Sequence, residues 1–216
     1  VFAAIVEEAE ARNLPIDGHV PLSMRARDVA PQVQSLEHLR NYEMDCVEDP
    51  ELWLAARLAE LANVSNEPGN VLRSRLHSLQ RLTAITNEDP AVCAETTEAL
   101  KATITVPTLR MNSMDLYVPF DRDDFDQAMD LIPTSVSAEW RNAREALAAS
   151  EEPVDTTFAE WSLRRTGELH AAGAPIAAGT DTPIGWSIPG YSLHTELEQY
   201  VEVGMTPLEA LHSATC

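Results

Sequence analysis

The sequence predicts an α/β fold, and three observations carry that expectation. Residues 1–13 (VFAAIVEEAEARN) set Phe2, Ile5, Val6 and Ala9 on one helical face with the glutamates opposite, a helix expected to pack by one side. The chain then passes directly into LPIDGHVP, a short apolar run with Gly18 beside His19 and Pro21 closing it, as in a buried strand that ends in a polar loop. Two further strand-like segments, KATITVPTL (101–109) and AAGAPIAAGTD (171–181), are set apart by helix-patterned chain, the alternation of an α/β fold.

The remaining elements follow in order. A short element over Asp28–Gln34 leads into SLEHL (35–39), where apolar and polar residues mix around His38. Three helices are expected between Asp49 and Lys101. Asp49-Pro50 and Asp89-Pro90 open two of them, the aspartate able to cap free amides and proline needing no partner at N1; VLRSRLHSLQRL (71–82) forms the other. Arg110–Pro119 reads as loop. DRDDFDQAMD (121–130) holds five aspartates but lacks the ligand spacing and central glycine of a calcium loop, so a solvated helix start or acidic loop is expected. Helices are expected over Ser137–Ala149 and Thr157–Ala172, the latter with Thr157 and Glu160 at capping-box spacing. Ser192–Glu202 is expected to be helical, and Thr206-Pro207-Leu208-Glu209 opens a last helix with a capping box and proline at N1.

Composition bounds the function. The 216 residues carry 35 Asp and Glu against 15 Lys and Arg, a formal charge of −20, and are 44% hydrophobic. The apolar fraction excludes a disordered acidic tail, and the charge argues against a polynucleotide partner. Apolar runs are far shorter than the roughly 20 residues that span a bilayer, so no membrane span is expected in this chain. With the chain starting at Val1, the location stays open between cytoplasm and periplasm. Cys46, Cys93 and Cys216 form neither a CxxC pair nor an even set, and no disulfide framework is expected. The NVS triplet at 63–65 fits a glycosylation acceptor but arises readily by chance.

Three strand-like segments finish in a group able to bind a metal: His19, His38 and Asp181. Ligand sites of parallel α/β folds lie beyond the carboxyl ends of the strands, where residues distant in sequence converge. Two imidazoles and a carboxylate suit Zn²⁺ with an open position for water, whose proton a nearby carboxylate could accept. Structural roles, a core histidine or an aspartate capping a loop, are the alternative.

The blocks GHVP (18–21), SLEHL (35–39), VPTL (106–109), AGTDTP (178–183) and PGYSLHTELEQYVEVGMTPLEALHSAT (189–215) together resemble the amidohydrolase superfamily, nearest its imidazolonepropionase and prolidase-like branch. That resemblance implies part of a TIM-like (β/α)₈ barrel, strands five to eight with helical insertions, holding one or two divalent metals, zinc first among them. By motif, His19 and His38 would be the metal ligands ending strands five and six, VPTL would be strand seven, and Asp181 would end strand eight as metal ligand and base. His194, in SLHTE, would act at the substrate pocket. Arg110 and Tyr117 could reach a substrate from the rim, whereas His77 and His170 are expected on helix surfaces.

The chain departs from the family pattern. It has no His-x-His, and Val1 would fall in the helix after strand four, so the bridging carboxylated lysine has no position. The resemblance thus implies one incomplete catalytic domain over residues 1–216, truncated at both ends, with negligible hydrolysis by the 216 residues alone. The expected activity is metal-dependent hydrolysis of a C–N bond in a small amide, dipeptide or cyclic amide, with a homo-oligomer open to it. Hydrolysis of an ester or lactone by the same kind of centre is one alternative; a non-catalytic α/β binding module is another.

Overall fold

A computed structural model of the protein describes residues 1–63, 67–117 and 125–215. Val64 and Ser65 of the NVS triplet, residues 118–124 with the first four of the acidic segment, and Cys216 lie outside the described residues. The elements are α1 Phe2–Arg12, β1 Asp17–Gly18, α2 Ala26–Val29, β2 Ser35–Glu37, α3 Pro50–Ala62, α4 Gly69–Thr86, α5 Pro90–Leu100, β3 Ile104–Val106, α6 Leu109–Asn112, α7 Phe125–Met129, α8 Thr134–Ala148, α9 Thr157–Ala171, α10 Tyr191–Glu202 and α11 Pro207–Ser213. Short 3-10 turns cover Ala30–Gln32, Glu43–Cys46, Met114–Tyr117 and Ile184–Trp186. Two compact units result, one of residues 1–106 and 168–177, the other of 107–167 and 178–216.

The first unit is built on a parallel sheet of order β1-β2-β3, with Asp17 opposite Ser35 and Leu36 opposite Thr105. Ile176 adds a single parallel bridge to Thr105, so the AAGAPIAAGTD segment takes the fourth position without becoming a strand. The β-branched run at 103–106 and the apolar Leu36 explain why these residues pair: Leu36, Thr103 and Thr105 are buried and Ile104 and Val106 half-buried on a pleated surface. The sheet is nevertheless open, its strands two or three residues long, and helices make up most of the chain.

The expected partial barrel is therefore corrected, and with it the assignment to the amidohydrolase superfamily that the resemblance implied. Barrel closure needs strands long enough to tilt and to stagger their register around a ring. Pairing of two or three residues per strand supplies neither. The apolar face of α1 is corrected too: none of its residues is buried, and Val1 and Ile5 are exposed.

Around the sheet, Asp45 is the polar centre of the first unit. Its fully buried carboxylate accepts from Arg25 Nε at 2.9 Å and from the Arg27 amide at 2.9 Å, while Arg25 also pairs with Glu51. Asp89 caps α5 as expected, accepting from the amides of Ala91 and Val92. Asp49 precedes α3 but makes no side-chain cap bond, because its backbone is not in the extended capping conformation.

In the second unit, Phe125, Ala128, Met129 and Ile188 form a core bordered by Trp140, Trp186 and Tyr191. Part of the expected 110–119 loop is instead α6 and the 3-10 turn behind it. Glu196 of α10 is fully buried and accepts from the amides of Leu109 and Arg110 at 2.8 and 2.6 Å, joining α10 to α6. Burial pushes its carboxyl up to about 7, against the pull of those two amides and of the Arg110 charge. Gly167 gives α9 room beside Val203, since a Cβ there would lie 2.8 Å from the Val203 carbonyl oxygen. The capping box of α11 forms as expected, Thr206 Oγ1 accepting from the Glu209 amide and the Glu209 carboxylate from the Thr206 amide. The one expected at Thr157 is displaced: Glu160 accepts from the Thr156 hydroxyl instead, at 2.7 Å.

Candidate metal centres

His19 and His38 are the residues directly after β1 and β2, which are neighbours in the parallel sheet. Adjacent parallel strands of like register bring their following residues side by side, and the two imidazoles meet with ring centroids 4.9 Å apart, tilted by 56°. His38 is buried and His19 exposed, so the pair opens to solvent on one side. The His38 amide donates to Val106 O at 2.8 Å, continuing the β2–β3 ladder one residue past the strand. There the backbone turns sharply: His38, Leu39 and Asn41 have φ of 62°, 55° and 64°. Left-handed backbone costs a residue with a Cβ about 1–2 kcal/mol, and such strain gathers at functional sites. Two imidazole nitrogens, each about 2.0–2.1 Å from an ion, require rings at close quarters, and this pair fits that requirement.

Asp181 and His194 belong to the second unit. Asp181 is exposed, follows the AAGT segment and takes a left-handed φ of 50°; its carbonyl accepts from the Ile184 amide. His194 is exposed on α10. Arg110, expected at a rim, is instead 1% exposed, its Nη2 donating to Trp186 O at 3.0 Å. Tyr117 Oη donates to Glu202 at 3.4 Å.

A third group escaped the sequence reading. Cys46, Glu88 and Cys93 place ligand atoms within 4.8 Å of one another, a set able to coordinate a divalent metal ion. The 3-10 turn ending at Cys46 lies against α5, and the Asp89 amide donates to Cys46 O at 2.7 Å, which brings Cys46 to the first turns of α5. In this structure the two cysteines form a disulfide, correcting the expectation of none. A metal ion is held by thiolates, so the disulfide and an ion at these sulfurs are mutually exclusive states. With no proton on Cys93 Sγ, the 3.4 Å approach of Glu88 Oε1 is a contact and not a hydrogen bond.

His77, expected on a helix surface, is buried at 8% exposure; His170 is half-buried. Among the described residues no helix is long and apolar enough to cross a membrane.

Comparison with known proteins matches no family model and no curated protein. Among solved structures, one described as "AH, Bottromycin amidohydrolase" is similar in fold, with a TM-score of 0.61 and 20% sequence identity. The similarity covers 99% of this chain and 42% of that one. At that identity the likeness is one of fold, and it concerns less than half of the larger structure.

Proposed function

We propose that this chain carries the metal centre of a metal-dependent hydrolase, with the ion held by His19 and His38. The observation that carries the proposal is the meeting of the two rings at the ends of neighbouring parallel strands, with His38 on left-handed backbone. The fold likeness to a protein named as an amidohydrolase supports hydrolysis of a C–N bond as the reaction, in a small amide, dipeptide or cyclic amide. A bound divalent ion, zinc by the preference of imidazole donors, supplies Lewis-acid activation of water and of the scissile carbonyl. His38, buried, holds its ring fixed, and exposed His19 leaves the outer side to water and substrate. Asp181 and His194, expected as base and substrate contact, belong to the second unit and are given no role in this centre.

Metal content and activity test this together. Protein with the disulfide intact should bind about one equivalent of zinc, and His19→Ala with His38→Ala should abolish both binding and turnover of N-acyl amino acids, Xaa-Pro dipeptides or lactams. Unchanged zinc content in the double variant would reject the site. A second reading places the ion at Cys46, Glu88 and Cys93, on the strength of their ligand spacing. It requires reduced cysteines, so zinc bound only after reduction, and lost in Cys93→Ser, would favour it.

A further inference from the structure

Two imidazoles serve one ion only at a fixed separation, and strand pairing alone does not set it here. The β1–β2 ladder ends at Gly18 opposite Leu36, so His19 follows that last pair by one residue and His38 by two. From His38 onward the backbone leaves the sheet on left-handed turns. Two bonds fasten this stretch to β3: the His38 amide donates to Val106 O, and Tyr42 Oη lies 3.1 Å from Thr105 Oγ1.

Asn41 links the same stretch back to the His19 segment. Its side-chain Nδ2 donates at 3.2 Å to the carbonyl of Pro21, two residues after His19, and its Oδ1 accepts from Arg57 Nη1 of α3. Asn41 is 1% exposed and Arg57 fully buried. A guanidinium can only donate, so Arg57 decides which end of the Asn41 amide is the oxygen and thereby turns the NH₂ toward Pro21. Arg57 is held in turn: its Nε donates to Gln80 Oε1 at 2.6 Å, and Gln80 Nε2 donates to Trp53 O at 3.1 Å, which joins α4 to α3 behind Asn41. Glu43 supplies opposing charge for this guanidinium. The left-handed φ of 64° at Asn41 is one that asparagine tolerates better than most residues.

We propose that Asn41 is the positioning residue of the histidine pair, with Arg57 orienting its amide: the bond to Pro21 O holds the turn after His38 against the segment after His19 and so sets the distance between the two rings. Its service to an ion rests on the reading of His19 and His38 as ligands; the spacing of the rings does not. Asn41 touches neither ion nor substrate in this role. It acts through the two backbone segments that carry the imidazoles, and loss of such outer support typically costs a metal site about 10–100-fold in affinity.

NMR of the metal-free protein and zinc titration, both with the disulfide intact, test this on two variants. Asn41→Asp keeps the left-handed backbone and an acceptor for Arg57 and loses the donor to Pro21; Asn41→Gly keeps the backbone and loses both bonds. Wild-type protein should show NOEs between the His19 and His38 ring protons, and both variants should lose them. Zinc affinity should fall about tenfold in each. Either variant carries the test if the other fails to fold. NOEs absent from the wild type or persisting in the variants, or zinc affinity unchanged where the NOEs are lost, would overturn the proposal. A wild-type protein that shows the NOEs and binds no zinc would reject the ion, and the comparison of NOEs would still decide the role of Asn41.

Discussion

Cys46 and Cys93 are bonded across a sequence separation of 47, fastening the 3-10 turn behind β2 to the first turns of α5. A crosslink of that span stabilises chiefly by limiting the unfolded chain, typically by about 2–4 kcal/mol. Reduction, or Cys46→Ser with Cys93→Ser, should lower the urea midpoint accordingly. Coincident midpoints with and without reductant would show that the bond contributes nothing.

The same pair makes metal binding at Cys46, Glu88 and Cys93 conditional on redox state. Cadmium titrated into the reduced protein should give thiolate-to-metal charge-transfer absorption, absent from the oxidised protein and from Cys93→Ser. Equal absorption in both redox states would place the ion elsewhere.

His77 gives the stability a defined acid limb. Burial first, and then the charges of Arg81, Arg40, Arg57 and Arg73, push its imidazole down to about 2. Below the unfolded pKa of about 6.5 the unfolded chain binds a proton that the native state refuses. This share of stability is therefore complete above that pH and lost as pH falls, at about 1.4 kcal/mol per unit, or about 2 kcal/mol by pH 5. His77→Gln keeps an oxygen to accept from the arginines and has no such titration. Denaturation midpoints from pH 5 to 7 should be flatter for the variant; parallel curves would refute the assignment.

Glu196 acts in the opposite sense. Its carboxyl is held up to about 7, so the native state retains a proton that the unfolded chain loses above about 4.5. Stability from this group is full below about pH 4.5 and declines as pH rises through 7, by about 3 kcal/mol in all. Glu196→Ala removes the slope and also leaves the Leu109 and Arg110 amides unpaired, at a cost of about 1–3 kcal/mol. The wild-type advantage over Glu196→Ala should therefore shrink from pH 5 to pH 8, and a constant difference would contradict it.

Much of the secondary structure was legible because its signals are local. Asp89-Pro90 and Thr206-Pro207-Leu208-Glu209 state their caps within four residues, and the β-branched run before Val106 states its strand. Positions of the two strand-end histidines were legible for the same reason. Closure was not: blocks such as GHVP and AGTDTP describe how a strand ends, whereas a barrel depends on register summed over strands, which no short block encodes. The disulfide was hidden because its cysteines are 47 positions apart and lack any spacing motif. His77, in VLRSRLHSLQRL, was expected on a helix surface. It is buried instead, and Arg40, 37 positions earlier in the chain, meets its ring nitrogen at 3.2 Å.

The left-handed turn at His38 sets chemistry and durability against each other. A backbone with φ of 62° suits asparagine or glycine better than histidine. His38→Asn should therefore melt at or above the wild-type temperature while losing any zinc bound at the proposed histidine pair, and a marked drop in Tm would show that the imidazole stabilises its own turn. A library of variants sorted for heat survival alone would discard this histidine early, so keeping it there requires selection for something other than folding.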